Sequence, residues 1–321
     1  MTITIIIPVY NGAKLISKAL QSCFEQDYKD IIILIVNDGS TDNTLEIIEQ
    51  YKNNDSRIEI INKKNQGLVE ARKTGVQYAK TDYIVFLDAD DIFTPNAISK
   101  LVDKYKETKA DLIFSNFYVE LENGKNLFLS NNDRSFFDDN TKILSGILQK
   151  KIYPTIWGKL INREIFLKTN TPSNLTIGED AVALTQLLEQ KIRVSYIDDY
   201  IYHYIQYKQS MVNGISNNKN NQRLKFIIYL NNYINNRFSD NIIKNSLPVF
   251  TLYEIFEYLK GYGEFYKIND LYNYVKKSKS IFHFRKYIGF KRVLLVTMLD
   301  KLPYLGKIYL FIYNSTRNIL R

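Results

Sequence analysis

The chain has 321 residues, 45% of them hydrophobic and 14% aromatic, a composition that excludes disorder as the main state. Its 6 Pro and 13 Gly exclude collagen-like and linker-rich architectures, and its single cysteine, Cys23, excludes an internal disulfide. The net charge of +9 is uneven: residues 1–215 carry 25 Lys and Arg against 28 Asp and Glu, whereas residues 216–321 carry 18 against 6. We therefore expect a negatively charged partner to meet the C-terminal part.

Short, almost continuously apolar runs alternate with amphipathic stretches through the first third of the chain. The apolar runs, typical of parallel strands buried on both faces, are Ile3–Val9, Ile31–Val36, Ile58–Ile61 and Tyr83–Leu87. The stretches predicted to be helices are Ala13–Gln26, Thr44–Tyr51, Leu68–Ala79 and the segment that starts at Thr94-Pro95. This order predicts an α/β fold in which a mostly parallel sheet lies between two layers of helices. Cys23 lies in the first helix and is expected to pack in the core.

Between Ala110 and Tyr207 the sequence mixes strand-like and helix-like patterns of apolar residues. We predict strands over Asp111–Tyr118, Val119–Leu121 and Arg193–Tyr204, a hairpin turn at Glu122–Lys125, a loop over Ser130–Asn140 and a helix over Ala181–Gln190. The polar, Asn-rich segment Asn213–Asn221 predicts a linker. It divides the chain into a predicted first domain, residues 1–215, and a basic, aromatic-rich helical region, residues 216–321.

Neither a secretory signal nor a membrane span is expected. The apolar start Ile3–Val9 has no basic region before it and runs directly into polar Tyr10-Asn11-Gly12. No uncharged apolar run approaches the ~20 residues that cross a bilayer. We therefore expect a cytoplasmic protein that contacts the inner face of the cell membrane peripherally at most.

Three carboxylates in four residues, Asp88-Ala89-Asp90-Asp91, come directly after the predicted strand Tyr83–Leu87. Open α/β sheets bind ligands at the carboxyl ends of their strands. Because the three acids repel one another, a hard divalent cation, Mn²⁺ or Mg²⁺, is the usual reason to find them together. The alternative is a solvated turn in which an aspartate caps a helix.

Two further polar segments carry candidate chemistry. The loop Asp38-Gly39-Ser40-Thr41-Asp42 follows the predicted strand Ile31–Val36, and Asp38 can accept a hydrogen bond from a base or ribose. The alternative is that residues 38–42 are an ordinary turn that connects a strand to a helix. The pair Glu179-Asp180 opens a predicted helix, where a carboxylate can deprotonate an acceptor hydroxyl or cap the helix. Position alone leaves both interpretations open.

Four motifs, in this order along the chain, resemble those of the family 2 glycosyltransferases, in particular the bacterial capsule and surface-glycan type. They are Pro8-Val9-Tyr10-Asn11, Asp38-Gly39-Ser40-Thr41-Asp42, Asn65-Gln66-Gly67 with Arg72, and Asp88-Ala89-Asp90-Asp91. The resemblance covers about residues 1–210. It implies the GT-A fold, a nucleotide-binding αβα sandwich, and transfer of a sugar from a nucleotide donor, usually UDP-linked, with inversion at the anomeric carbon.

The resemblance also implies roles for single residues. The nucleotide-binding set is Pro8, Val9, Tyr10, Asn11, Asp38, Asn65, Gly67, Arg72, Asp88 and Ala89. Asp90 is implied as the metal ligand, and Asp180 as the catalytic base with Glu179 as its close alternative. Trp157-Gly158-Lys159 resembles a segment of the capsule-type members, in which Trp157 stacks on an acceptor sugar; core packing is the alternative.

The segment from Tyr202 to Met211 resembles the family's late motif, which is usually richer in arginine. In this interpretation Lys208 replaces the missing arginine at the diphosphate, and Ser210 donates a hydroxyl. His203 either completes the metal shell or is a structural histidine.

Aromatic and basic residues mix at helical spacing near the C-terminus, in Phe282–Phe290 and Leu302–Tyr313. Such a surface suits an anionic membrane or a lipid-diphosphate acceptor. It equally suits a helical addition that packs its aromatic side chains inward and exposes its lysines.

Together these expectations describe a metal-dependent, inverting hexosyltransferase. It moves a Glc-, Gal- or GlcNAc-type sugar from UDP to a hydroxyl of a growing surface polysaccharide or glycoprotein glycan. The first alternative is a nucleotide-binding or nucleotidyl-transferring α/β protein that transfers no sugar. A nucleic-acid-binding protein, suggested by the pI of about 9.2, is disfavoured because the first two thirds are acidic and no nucleic-acid module is recognisable.

Overall fold

The computed structural model describes residues 1–124, 126–130, 132–207 and 217–319. The strands in this part are β1 (Ile3–Val9), β2 (Ile31–Asn37), β3 (Ile58–Asn62), β4 (Tyr83–Phe86), β5 (Ile92–Phe93), β6 (Leu112–Leu121), β7 (Asn126–Leu129), β8 (Leu160–Asn162) and β9 (Val194–Gln206). The helices up to residue 189 are α1 (Ile16–Phe24), α2 (Thr44–Asn54), α3 (Leu68–Tyr78), α4 (Ala97–Thr108), α5 (Asn140–Leu148), α6 (Arg163–Leu167) and α7 (Glu179–Glu189). The later helices are α8 (Asn217–Arg237), α9 (Asn241–Lys260), α10 (Asn269–Ser278), α11 (Arg285–Ile288), α12 (Phe290–Lys301) and α13 (Pro303–Ile319).

The first four apolar runs form one parallel half of the sheet, in the order β3-β2-β1-β4. All seven residues of β1 are buried, which explains why its sequence is apolar without alternation. The predicted parallel α/β core is therefore confirmed. Since parallel strands point the same way, the loops after β1, β2, β3 and β4 leave the sheet at one edge.

The other half of the sheet is mixed, in the order β8-β6-β9-β5. β8 is antiparallel to both β4 and β6, β9 is parallel to β6, and β5 is antiparallel to β9. Sequence periodicity did not predict β8 or β5, because they contain only three and two residues. Antiparallel pairs therefore make up more of the sheet than we expected.

Two local predictions need correction. β6 is one continuous strand rather than two, and β7 completes the expected hairpin with it. The described residues of the predicted loop over 130–140 are irregular apart from a 3-10 turn, Arg134–Phe136, and α5 begins at Asn140. The predicted linker is helical from Asn217 onward, because Ile227 and other apolar side chains of α8 are buried. Residues 213–216 of that prediction lie outside the described part.

The described residues group into two compact units, one of residues 1–143 and 152–207 and one of residues 144–151 and 217–319. In the first unit, helices α1 to α4 cover the sheet, and Cys23 is fully buried in α1 as expected. The second unit has its own apolar core from α8 to α13. Inside it, buried Glu254 accepts hydrogen bonds from Lys150 and Arg223 at 2.7 and 2.5 Å. None of the described helices is both long and apolar enough to span a membrane.

Candidate active site

Hydrogen bonds join the loops after β1 and β2. The Asn11 backbone N–H donates to Ser40 Oγ at 2.9 Å, and the Thr41 N–H donates to Asn11 Oδ1 at 2.8 Å. Asn11 adopts a left-handed backbone conformation with φ of 51°, which turns the chain out of β1. Pro8 and Val9 are buried at the end of β1, whereas Tyr10 is 53% exposed. Tyr10 therefore presents an aromatic ring to solvent at the sheet edge, next to exposed Asn11.

Asp38 holds the loop after β3. Its carboxylate accepts hydrogen bonds from Lys63 Nζ at 2.7 Å and from the backbone N–H groups of Gln66 and Gly67 at 3.0 and 2.7 Å. The side chain of Asp38 is almost completely buried. In this arrangement Asp38 fixes the segment that leads into α3.

Gly39 allows the loops after β2 and β3 to approach each other. Its φ is +72°, and a Cβ at this position would lie 2.6 Å from the backbone nitrogen of Asn65. No other residue fits such a close approach without moving the backbone. Asn65 itself is exposed at this junction.

The acidic loop after β4 lies beside the loop after β1. A Cβ placed on Gly12 would lie 4.0 Å from the Cβ of half-buried Ala89. Burial and the charge of Asp88 raise the pKa of Asp90 to about 6. No Lys or Arg in the described part of the chain forms an ion pair with Asp90. Its carboxylate is therefore the one in this loop that remains available for a cation.

Asp91 has a structural role that sequence reasoning did not anticipate. Its buried carboxylate accepts hydrogen bonds from the Tyr202 hydroxyl and the Ile205 backbone N–H, both at 2.8 Å. The Asp88 N–H donates to the same Tyr202 hydroxyl at 3.1 Å. Burial and the neighbouring aspartates raise the pKa of Asp91 well above its usual range. Asp91 and Tyr202 therefore attach the acidic loop to β9.

Arg72 connects the two acidic segments that sequence analysis singled out. This α3 side chain donates from Nη2 to Asp88 Oδ1 at 2.8 Å and from Nη1 to Asp180 Oδ1 at 2.7 Å. Its Nη1 also lies 3.8 Å from Glu179 Oε1. Arg72 is only 3% exposed, and the three carboxylates raise its pKa far above its ordinary value. The loop after β4 and the start of α7 are thus parts of one charge cluster.

Glu179 and Asp180 occupy the first turn of α7 but do not cap it. The N-cap is Gly178, and no side chain caps this end of the helix. Asp180 Oδ2 instead accepts from the Ile156 backbone N–H at 3.1 Å, which together with Arg72 fixes its orientation. Burial raises the pKa of Asp180, and burial with the charge of Asp180 raises the pKa of Glu179 to about 7. Two carboxylates with raised basicity therefore lie at this helix start.

A small cavity of about 20 Å³ adjoins the Asp180 carboxylate and is also lined by Arg72, Ile156 and Thr171. Thr171 Oγ1 is buried and has no hydrogen-bond partner among the described residues. About this volume is needed to hold one hydroxyl-sized group.

Trp157 lies inside an aromatic cluster. Its ring stacks on Tyr202 with centroids 4.2 Å apart and on Tyr204 at 5.7 Å, and Phe117 meets it edge-on. Trp157 is 6% exposed. Gly158 has a φ of 64°, and a Cβ at this position would lie 3.2 Å from Cδ2 of the Tyr202 ring. The absence of a side chain on Gly158 therefore lets the Tyr202 ring pack closely against it. This placement supports the packing alternative for Trp157 over stacking on a sugar.

His203 belongs to a different cluster. Its Nδ1 lies 2.9 Å from Glu120 Oε1, and its ring stacks on Tyr118 with centroids 4.6 Å apart. Its neighbour Tyr202, in contrast, reaches the acidic loop. The placement supports the structural alternative for His203 rather than a place in the metal shell. Lys208 and Ser210, predicted at the diphosphate, lie outside the described residues.

The donor set fits one bound divalent cation only when a substrate supplies ligands. No group of three or more His, Cys, Asp or Glu side chains within the described ranges could enclose a metal. Asp90 offers a hard carboxylate oxygen without a competing cation. Mg²⁺ and similar ions are commonly held in this way, by one or two carboxylates together with substrate phosphates.

Lys159 is a buried lysine beside this site. It is 3% exposed, donates from Nζ to Thr155 Oγ1 at 2.9 Å and lies over the Phe114 ring. Burial lowers its pKa to about 7, against the opposing charge of Asp180.

We expect the Lys159→Met variant to change how stability depends on pH. Between pH 7 and about 10.4 the unfolded chain binds a proton that folded Lys159 does not, so wild-type stability rises with pH across this window. The free energy of unfolding of the wild type relative to Lys159→Met should rise by more than about 2 kcal/mol from pH 7 to 10. Urea unfolding at both pH values measures this. Lys80→Met, which removes an exposed lysine, is the control; equal pH dependence in both variants would contradict the expectation.

The class of the protein follows from these features. The parallel strands end at one edge, where an acidic loop and a pair of carboxylates share an arginine, on an α/β sheet of the GT-A type. The chain belongs to glycosyltransferase family 2, because the model of "Glycosyl transferase family 2" matches residues 4–169, more than half of its length. It is a glycosyltransferase.

Individual proteins agree with this assignment. The chain is 30% identical to the cholesterol galactosyltransferase of Borreliella burgdorferi over 67% of its own length, an alignment that spans 63% of that protein. Residues 1–349 of TarS from S. aureus have a similar structure, with a TM-score of 0.65 at 17% identity, covering 99% of this chain and 92% of that one. The mannosyltransferase PcManGT from Pyrobaculum calidifontis, solved with GDP-Man and Mn²⁺, has a TM-score of 0.55 at 16% identity and covers 99% and 86%. At these identities the two structures show the GT-A fold alone.

Proposed function

We propose that the chain is an inverting, metal-dependent glycosyltransferase that moves a hexose of the Glc, Gal or GlcNAc type from UDP to a hydroxyl group. The proposed acceptor is a growing surface polysaccharide or a protein-linked glycan. Arg72 carries the proposal, because one guanidinium binds both the acidic loop after β4 and the carboxylate at the start of α7. A sugar donor bound at the acidic loop is then close to a carboxylate that can accept the proton of the acceptor.

The donor is a nucleotide sugar in this proposal. TarS has been solved with UDP-GlcNAc, and the cholesterol galactosyltransferase is named for a galactosyl transfer. The proposed nucleotide site is the sheet edge formed by residues 8–11, Asp38, Asn65 and Gly67. There the exposed Tyr10 ring is available to the base, and Asp38 orders the 63–67 segment. The catalytic domain is proposed to span residues 1–215.

Asp90 is the proposed ligand of a divalent cation, with Asp88 beside it. A bound cation would supply positive charge that offsets the charge of the departing diphosphate. Lys208, with Ser210, is proposed to add to this effect. Arg72 contributes less directly, since its Nη atoms are engaged by carboxylates; it holds Asp88 and Asp180 in position.

Asp180 is the proposed general base. As the acceptor oxygen forms its bond to the anomeric carbon, the bond from that carbon to the diphosphate oxygen breaks, and the hydroxyl proton passes to Asp180. One displacement of this kind inverts the anomeric centre. A carboxylate has about four acceptor positions, and the Arg72 and Ile156 bonds use two of those on Asp180. The cavity beside Asp180 has the volume of about one hydroxyl group.

The test is a screen of UDP-Glc, UDP-Gal and UDP-GlcNAc for hydrolysis and transfer in the presence of Mn²⁺. We expect at least one donor to be turned over, and Asp90→Ala to weaken Mn²⁺-dependent UDP binding by at least about tenfold, because it removes the carboxylate available to the cation. The matched control is Asp82→Ala, an exposed acid just before β4. Undiminished activity in excess chelator would contradict the role of the metal. Release of nucleotide without any sugar transfer would favour the nucleotidyl-transferring alternative.

A further inference from the structure

The last helix of the second unit exposes an apolar stripe. In α13 the exposed large apolar side chains are Tyr304, Leu305, Ile308, Phe311 and Ile312. Their spacing of one, three, three and one residues places them on a single helix face. Tyr304 is 77% exposed and Phe311 65%, values that are high for side chains of this size. A contiguous apolar surface of this kind usually marks an interaction site.

The opposite face of α13 fixes the helix to its unit. Gly306 is buried, and a Cβ there would lie 2.8 Å from the backbone nitrogen of Leu299 in α12. Leu310 is buried in the same core, and Tyr313 meets Phe256 edge-on at 5.7 Å. α12 in turn buries Val293, Leu295, Val296 and Leu299. Inward packing therefore accounts for these side chains and for one face of α13, and leaves the stripe facing outward.

The charge around the stripe is positive. Lys301 and Lys307 are exposed at its N-terminal end. Residues 271–321 contain 11 Lys and Arg and a single acid, Asp300, whose carboxylate lies 3.5 Å from Lys276 Nζ. A second copy of this chain would bring the same positive charge to the interface, which disfavours self-association through the stripe. An apolar helix face bordered by lysines instead complements a surface that is apolar within and negatively charged at its edge.

We propose that α13 binds the surface of an anionic phospholipid bilayer, with the stripe residues inserted among the acyl chains and Lys301 and Lys307 at the phosphate level. The helix lies in the plane of the interface and does not cross the bilayer. This surface is in the second unit and is independent of the proposed sugar transfer, so its test needs no turnover.

The test is cosedimentation of the full chain with sucrose-loaded vesicles of phosphatidylcholine, alone or with about one third phosphatidylglycerol. We expect binding to the anionic vesicles, weakened by raising the salt to about 0.5 M. The double variant Leu305→Ser/Ile308→Ser should bind at least about tenfold less, because each serine replaces an apolar side chain that the bilayer would bury. Lys301→Gln/Lys307→Gln should bind anionic vesicles about fivefold less per lysine, with no change on phosphatidylcholine.

The matched control is Ile242→Ser/Lys244→Gln in α9, where Ile242 is 46% exposed, similar to Leu305 at 49%. It should bind as the wild type does, and circular dichroism checks that every variant is folded. Vesicle binding that is unchanged in Leu305→Ser/Ile308→Ser would overturn the proposal. Concentration-dependent dimerisation without vesicles, lost in the same variant, would overturn it in favour of a second copy of the chain.

Discussion

Replacing Asp180 by asparagine is expected to lower kcat for sugar transfer by about a thousandfold. Asparagine keeps the size of the side chain and one oxygen, which can accept from Arg72 or from the Ile156 N–H but not replace both carboxylate oxygens. Its amide cannot accept the proton of the acceptor hydroxyl. The affinity for UDP should stay within about twofold of the wild type, because the base acts in the reaction rather than in donor binding. Transfer rates under saturating donor, with calorimetry of UDP binding, measure both quantities.

Glu179→Gln is the matched control for this prediction, since it removes the neighbouring carboxylate from the same helix turn. Glu179 makes no hydrogen bond to Arg72 and lies 3.8 Å from it, so its position is less fixed than that of Asp180. Activity should fall by no more than about tenfold. A large loss in Glu179→Gln together with full activity in Asp180→Asn would move the base to Glu179.

The pH dependence of the wild type follows from the same carboxylate. Asp180 accepts a proton only when ionised, and burial raises its pKa above the ordinary aspartate value of about 3.9. Activity is thus lost as pH falls through that raised pKa.

Arg72→Met is expected to lower the free energy of unfolding by about 3–5 kcal/mol, the usual loss when one partner of a buried ion pair is removed. Methionine has a similar length but leaves Asp88, Glu179 and Asp180 close together without their cation. The additional removal of one carboxylate should relieve this repulsion, so Arg72→Met/Asp180→Asn should be more stable than Arg72→Met alone. Urea unfolding of the three proteins measures the difference.

Arg57→Met is the control for Arg72→Met. Arg57 pairs with Asp55 at 2.6 Å, but both side chains are partly exposed, so the loss should be about 1 kcal/mol. Equal stability losses in the two arginine variants, or a double variant less stable than Arg72→Met, would show that the three carboxylates do not share Arg72 in solution.

The parallel half of the sheet was predictable because strands buried on both faces have continuously apolar sequences. Every residue of β1 is buried, and the apolar run Ile3–Val9 has the same bounds as the strand. The polar loops that follow these strands lie at one edge of the sheet because the strands are parallel. The mixed half was less predictable, since β8 has three residues and takes its place between β4 and β6 only through tertiary pairing.

The connection between the acidic segments could not be predicted from local patterns. Arg72 and Asp180 are separated by 108 residues, and no periodicity relates them. The same holds for Asp91, which reads as part of a cation site but bonds to Tyr202 and Ile205 on β9. For Trp157 and His203 the sequence left a functional and a structural interpretation open, and both side chains lie in aromatic packing. A residue type indicates what a side chain can do, and burial decides whether it can reach a ligand.

A crystal structure with UDP and Mn²⁺ tests the central claim most directly. We predict an anomalous Mn²⁺ peak about 2.1 Å from an Asp90 carboxylate oxygen, shared with oxygens of the UDP diphosphate. The end of the diphosphate that carries the sugar should point toward Asp180. A manganese peak remote from Asp90, or UDP bound away from the loop after β4, would contradict the assignment of donor and base to this edge of the sheet.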